Sequence, residues 1–278
     1  MPTAARNLSQ RFPERRVFVT GAASGLGLAF AEILARENWR LVLTDIDAVR
    51  LSIVAARLSR DGVAVASQPC DVRDAPALGA LIDEAADALG GIDVAIHCAG
   101  VAAVGPFHSS SAQDWQWVFD VNVQGIANAC RAVIAHMRSG GLIVNVAGAA
   151  AFCTPPQLAA YSASQAAIVA LSESLQQEYG AQGLQVMIAL PGWFRTRLIE
   201  SARGPQRALQ AAQRRLEEAA LEPATVAEYL LTRAAARCRY CIYPPRYRWL
   251  WRAKRLAPVM FQRWFAAAHA RARRDLGH

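Results

Sequence analysis

The stretch Val17-Phe-Val-Thr-Gly-Ala-Ala-Ser-Gly-Leu-Gly-Leu28 decides how the rest of the chain reads. Val17 to Val19 are β-formers, and they run directly into a glycine-rich turn. The turn opens a helical apolar pattern at Leu28, Phe30, Ala31, Ile33 and Leu34. A strand, a glycine turn and a helix start together make an anion site. The unpaired N–H groups of the first helical turn, with the positive end of the helix dipole, face a pyrophosphate. Gly21, Gly25 and Gly27 allow the tight turn and the close backbone approach. A second β-run, 40–44, follows the helix and ends at Asp45. An acid about 20 residues beyond the glycines is placed to bind a ribose 2′-hydroxyl. The pattern therefore predicts dinucleotide binding.

Outward from that unit, strand and helix patterns alternate, which predicts an α/β chain with a parallel, doubly wound sheet. Helices are expected at 48–60 and 75–89, with strands at 63–68 and 92–97. A long helix at 112–137 carries Asn122. Strands at 142–147 and 184–190 flank a helix bearing Tyr161, and a mobile-looking helix covers about 203–220. One more helix and a short strand at 240–243 complete a body of residues 16–243, preceded by an arm of residues 1–15.

With 278 residues there is ample chain for one large domain with a tail. No run of 18 apolar residues occurs, so no membrane span is expected. The Arg-rich start has no continuous apolar stretch and does not read as a secretory signal. The six cysteines fall mostly inside apolar elements and read as reduced thiols of a cytoplasmic protein. Cys238-x-x-Cys241 has no second Cys or His pair at zinc spacing, so no metal is expected. The net charge is +8, yet twelve basic and no acidic residues lie between Tyr229 and Arg274. The body is mildly acidic and the high pI belongs to the tail.

Together, Thr20-Gly-Ala-Ala-Ser-Gly-Leu-Gly27, Asp71-Val72, Cys98-Ala-Gly100, Asn122 within Val-Asn-Val, Tyr161-Ser-Ala-Ser and Pro191-Gly192 followed by Thr196 resemble the short-chain dehydrogenase/reductase family. The resemblance runs from about Arg16 to Tyr243. It implies a single Rossmann domain with a seven-stranded parallel sheet, and a nicotinamide cofactor. It also implies a homodimer or homotetramer assembled through the helices bearing Asn122 and Tyr161. Carried over by position, Gly21, Ser24, Gly25, Leu26 and Gly27 line the pyrophosphate, and Asp45 takes the adenosine ribose. Asp71 and Val72 flank adenine, Ala99 and Gly100 lie along the cofactor, and Thr196, after Pro191 and Gly192, reaches the carboxamide. Asp45 argues for NAD over NADP. Its carboxylate repels a 2′-phosphate at close range, and neither Ile46 nor the glycine turn supplies an offsetting cation.

The family's chemistry uses Ser, Tyr, Lys and Asn. Asn122 and Tyr161 are present, but the Lys position is Gln165 and the Ser position is Gly148. An unperturbed tyrosine has a pKa of about 10, so roughly one in 10³ is ionised at pH 7. An ammonium raises that fraction and a neutral amide scarcely does. Gln165 can still hydrogen-bond the ribose. Gly148 removes one donor to the developing oxyanion, typically about 10² to 10³ in rate. Three explanations stay open: a dehydrogenase with altered or slow chemistry, a cofactor-binding homologue that is inactive or non-redox, or an engineered inactive variant. The bland alternatives make Tyr161 a structural helix residue and Asn122 a satisfied core amide.

Specificity is expected from loops at the carboxyl ends of the strands. Phe107, Phe152, Trp193, Phe194 and Leu198 would make an apolar pocket for a small alcohol or ketone, with His97, Arg195 and Arg197 as nearby polar groups. Trp115 and Trp117 read as packing residues, and His97 as a satisfied structural histidine. The extension 244–278 interleaves aromatics with arginines, and Pro258 splits it into two helical segments. Its aromatics either pack on the body or a partner subunit, or lie on a membrane surface. No nucleic-acid reading module accompanies the charge.

Overall fold

The structure, a computed structural model, describes residues 4–60 and 62–275; the outermost parts of the arm and of the extension, residues 1–3 and 276–278, lie outside them. The chain runs α1 (Ala4–Arg11), β1 (Arg16–Thr20), α2 (Gly25–Arg36), β2 (Arg40–Thr44), α3 (Ala48–Ser59), β3 (Val65–Ser67), α4 (Ala75–Leu89) and β4 (Ile92–His97). It continues with α5 (Ala112–Phe119), α6 (Gly125–Ile134), β5 (Met137–Val146), α7 (Ala150–Cys153), α8 (Ala159–Tyr179), β6 (Gln185–Pro191), α9 (Gln206–Glu217), α10 (Pro223–Ala235), β7 (Tyr240–Tyr243), α11 (Tyr247–Leu256) and α12 (Pro258–Asp275).

The seven strands are parallel and ordered β3-β2-β1-β4-β5-β6-β7. The order reverses between β1 and β4, and their carboxyl ends open the crevice in which such sheets bind ligands. β1, β4 and β6 are buried along their whole length, so their runs of Val, Ile and Leu do not alternate with polar residues. Helices cover both faces. On one, α2 and α10 join α1, where Trp39 is fully buried, donates from Nε1 to Ser9 Oγ (2.9 Å) and meets Phe12 edge-on. On the other, α4, α6 and α8 pack around Phe18, Ile82, Ile143 and Ile188.

Three expectations needed adjustment. The expected helix 112–137 is α5, a π-helical turn at Asp120–Gln124 and α6, which ends at Ile134. Met137 instead begins β5, because it pairs with Ile92 of β4, a contact invisible to local periodicity. The stretch expected to be mobile at 203–220 is tied down: Arg203 exchanges backbone hydrogen bonds with Ala102 and Val104, and Leu216 is buried. β3 is shorter than the expected 63–68, and as an edge strand it leaves Ala66 and Ser67 exposed.

Candidate active site

Every residue assigned above to the cofactor, together with Asn122, Gly148, Tyr161 and Gln165, borders one cavity of about 600 Å³ at the reversal of strand order. That volume is ordinary for a ligand site.

The turn after β1 is built for close backbone approach. Gly21 has φ +67°, and a Cβ there would stand 2.6 Å from the Ala99 nitrogen. A Cβ on Gly27 would fall on the Gly21 carbonyl oxygen, so this crossing excludes any side chain. Ser24 caps α2 without a side-chain hydrogen bond, leaving the helix's first N–H groups open to an anion. At the end of β2, the Asp45 carboxylate accepts from the Ala23 nitrogen (2.9 Å) and the Asp47 nitrogen (3.0 Å). Asp71, after β3, is held below the usual carboxylate range by hydrogen bonds from Arg73.

The opposite end is built from side chains. Asn122 lies in the π-helical turn, a distortion frequent at functional sites. Its Oδ1 accepts from the Val101 nitrogen (2.8 Å), and its Nδ2 donates to the Val101 carbonyl (2.9 Å) and to Ser164 Oγ (2.9 Å). Ser164 Oγ in turn donates to the Tyr161 carbonyl (2.7 Å). Asn122 thus ties the loop after β4 to α8. Burial pushes the Tyr161 phenol up to about 12, and no cation pulls it back. Gln165 is buried, its Nε2 only 3.5 Å from Ser164 Oγ. A Cβ on Gly148 would lie 3.7 Å from the Tyr161 hydroxyl and 3.6 Å from Gln165 Oε1, ordinary contact distances. Nothing steric requires glycine here.

The expected substrate residues divide. Trp193, Phe194 and Leu198 line the cavity. Phe152 does not, because it is consumed by the core under α7 and α8. Phe107 is 70% exposed and meets Trp115 edge-on, away from the cavity. Arg195 turns to Glu222 (2.6 Å), whereas Arg197 borders the cavity beside Glu200 (2.6 Å). His97 is fully buried. Asn145 uses its amide nitrogen on Ser172 Oγ, so its oxygen accepts from His97 Nδ1 (2.8 Å). Burial pushes this histidine down to about 4, so it is neutral at ordinary pH. Trp117, read as packing, does reach the cavity, with the Arg203 guanidinium 4.0 Å over its ring.

Local sequence reading missed two groups. Arg50, in the first turn of α3, borders the cavity but is held by Asp47 (3.2 Å) and by Glu200 (3.3 Å). The extension supplies Tyr247, Leu250 and Phe265 to the cavity wall, and the Tyr247 ring occupies the space a Gly192 side chain would need. The apolar spacing of the extension signalled a packed face without indicating against what.

The short chain dehydrogenase family profile matches residues 15–207. The D-threitol dehydrogenase of Mycolicibacterium smegmatis is 37% identical over 195 residues, which are 68% of this chain and 75% of that one. A short-chain dehydrogenase/reductase of Burkholderia phymatum in complex with NAD superposes with a TM-score of 0.81 at 30% identity, covering 88% of this chain and 94% of that one. A short-chain dehydrogenase of Burkholderia cenocepacia in complex with NADP gives 0.71 at 26% identity, covering 82% and 95%. The glycine turn, the reversal of strand order and these similarities have one reading: the chain belongs to the short-chain dehydrogenase/reductase family of oxidoreductases.

Proposed function

We propose that the chain binds NAD(H) in preference to NADP(H), and that it moves hydride between nicotinamide and an apolar alcohol or ketone weakly, or not at all, in its present form. The cofactor preference rests on Asp45. A 2′-phosphate would meet a carboxylate already held in place by two backbone N–H groups. Arg50 borders the same cavity and is engaged by Asp47 and Glu200. One solved relative holds NAD and others hold NADP or NADPH, so this carboxylate carries the argument. NAD supplies the hydride acceptor when bound. Gly21, Ser24, Gly25, Leu26 and Gly27 would hold its pyrophosphate, with Asp45 on the ribose. Asp71 and Val72 would flank adenine, and Thr196 the carboxamide.

The weakness of the chemistry rests on Tyr161. A phenol at about 12 beside a neutral Gln165 is a poor proton acceptor for an alcohol, and Gly148 offers no hydroxyl to the substrate oxygen. The second reading, a cofactor-binding homologue without turnover, is favoured by the same phenol. We read the chain as cytoplasmic, as a homodimer or homotetramer through the helices of Asn122 and Tyr161, and as touching membrane surfaces through residues 244–278.

Calorimetric titration with NADH and NADPH tests the cofactor reading. NADH should bind at least about tenfold more tightly, and Asp45→Ala should erase the difference, since a hydrogen bond to a charged group is worth about 1.5–3 kcal/mol. Equal or tighter NADPH binding would overturn it.

A further inference from the structure

Half of the large apolar side chains that stand exposed among the described residues lie on α11 and α12. They are Trp249 (71% exposed), Leu256 (86%), Val259 (67%), Met260 (73%) and Trp264 (56%). Their placement is periodic. Trp249, Arg252, Ala253 and Leu256 share the outer face of α11; Met260, Arg263, Trp264 and Ala267 share that of α12. The inner faces are engaged. Tyr247, Leu250 and Trp251 pack on the body, Trp251 meets Tyr240 at 5.3 Å, and Phe261 is buried. Arg255 is held by Glu173 (3.3 Å) and lies over the Trp251 ring. Arg252 and Arg263 remain outside, exposed and without an ion pair among the described residues.

An exposed apolar row of this size calls for a covering surface, and the surrounding charge selects which one. No acidic residue occurs from 229 to 274, so the face complements an anionic surface. Trp rings beside arginines suit the headgroup boundary of a bilayer. No helix of the described residues is long and apolar enough to cross a membrane, so contact would be in the interfacial plane. The same two helices wall the cavity: Tyr247 and Leu250 from α11, and Phe265 from α12, border the space that contains Tyr161. One side of this layer faces outward and the other lines the ligand site.

We propose that the outer face of α11 and α12 docks on an anionic lipid bilayer, and that the cavity behind it takes an apolar long-chain alcohol or ketone dissolved in that bilayer. The substrate half rests on the oxidoreductase reading above and on the peripheral-membrane reading of the extension. The apolar chain would lie against Leu250, Phe265, Trp193 and Leu198, with its oxygen toward Tyr161.

The test uses the full chain and vesicles of phosphatidylcholine with about one-third phosphatidylglycerol. At low salt the protein should pellet with them, and at least about tenfold less with phosphatidylcholine alone or after Trp249→Glu, Met260→Glu and Trp264→Glu together. NADH titration and thermal unfolding of the triple variant check that its body is intact. Absent pelleting, or pelleting unchanged in a folded triple variant, overturns the docking. So does a change in particle mass on substitution without vesicle binding, which assigns the face to contacts between copies of the chain. A diazirine-bearing long-chain ketone dissolved in the same vesicles should, on photolysis, label Leu250, Tyr247 or Tyr161, located by peptide mass spectrometry. Labels confined to Trp249, Met260 and Trp264 overturn the cavity half. Neither readout requires bound NAD, so failure here is distinguishable from failure of the cofactor assignment.

Discussion

Gly21 and Gly148 both stand just beyond the carboxyl end of a strand, and both border the same cavity, yet they are glycines of different kinds. A side chain on Gly21 would collide with the Ala99 backbone at a positive φ; one on Gly148 would meet Gln165, Tyr161 and the Pro191 carbonyl oxygen at ordinary contact distance. The glycine-turn end of the cleft is made largely from main chain. Crowding excludes other residues at its crossing, and the N–H groups that the fold presents there would meet a pyrophosphate, with the Asp45 carboxylate beside them. The end at Tyr161, where the proposed chemistry would occur, is made from side chains, and there Gly148 offers no hydroxyl and Gln165 no ammonium. One cavity therefore joins an end fixed by backbone crowding to an end with room for exchange at Gly148.

The largest effect should come from refilling the chemistry end. Gly148→Ser combined with Gln165→Lys should raise alcohol–ketone turnover, followed by NADH absorbance over a panel of hydrophobic substrates, by at least about 10² to 10³. The added Cβ has room, so the fold should be retained. The gain should vanish on Tyr161→Phe. The ammonium should also draw the phenol down from about 12, so the pH–rate profile of the double variant should level off at lower pH than that of the parent. Fast turnover by the parent that is lost on Tyr161→Phe would break the comparison, because Gln165 and Gly148 would then suffice. Silence from both forms, with NADH bound, would leave cofactor binding without redox chemistry.

A second effect lies in the seam between the two ends, where His97 on β4 bonds Asn145 on β5. The unfolded chain takes up this proton below about pH 6.5, the folded chain only near 4, where burial holds the ring. A depressed pKa means that the stabilisation is complete above pH 6.5 and is lost as the pH falls towards 4, by up to about 3 kcal/mol. Denaturant midpoints of the parent should fall through that window, and His97→Asn should flatten this part of the slope. An equal slope in the variant would assign the acid sensitivity to other groups.

The smallest effect contrasts two thiols. Burial, with Asp74 and Asp71 nearby, pushes Cys70 up where it borders the cavity after β3. At the base of the extension, Cys238 is drawn down by its pairing with Cys241 and by the Arg233 guanidinium, whose Nη2 donates to the sulfur (3.5 Å). At pH 7, iodoacetamide should alkylate Cys238 about tenfold faster than Cys70, and Arg233→Ala should slow it several-fold. Equal rates, read by peptide mass spectrometry, would show that the two regions do not differ electrostatically in this way.

Much of the architecture was legible locally. A glycine turn between β-formers and a helical apolar stripe can do little else, and a chain of alternating strands and helices closes into a parallel, doubly wound sheet because crossovers must bury both faces. Asp45, Asp71 and Thr196 could be named because they end strands or follow them, and strand ends converge on the crevice of this fold. The apolar pocket was less legible. Phe107 and Phe152 have the same composition signal as Trp193 and Phe194, but hydrophobicity alone does not say whether a ring faces a cavity, the core or solvent.

What the sequence determined by itself was therefore whatever depends on backbone geometry and local periodicity: the strand–turn–helix unit, the order of elements, the positions of Gly148, Tyr161 and Gln165, and the charge of the extension. What only the tertiary structure decided was which distant residues share a surface. The Tyr247 ring against Gly192, the Arg50–Glu200 pair, Met137 drawn into β5, and a single pair of helices with one face on the cavity and the other exposed all join residues far apart in the chain. Their positions follow from how the core closes, and packing against distant partners leaves no periodic trace in the residues that it brings together.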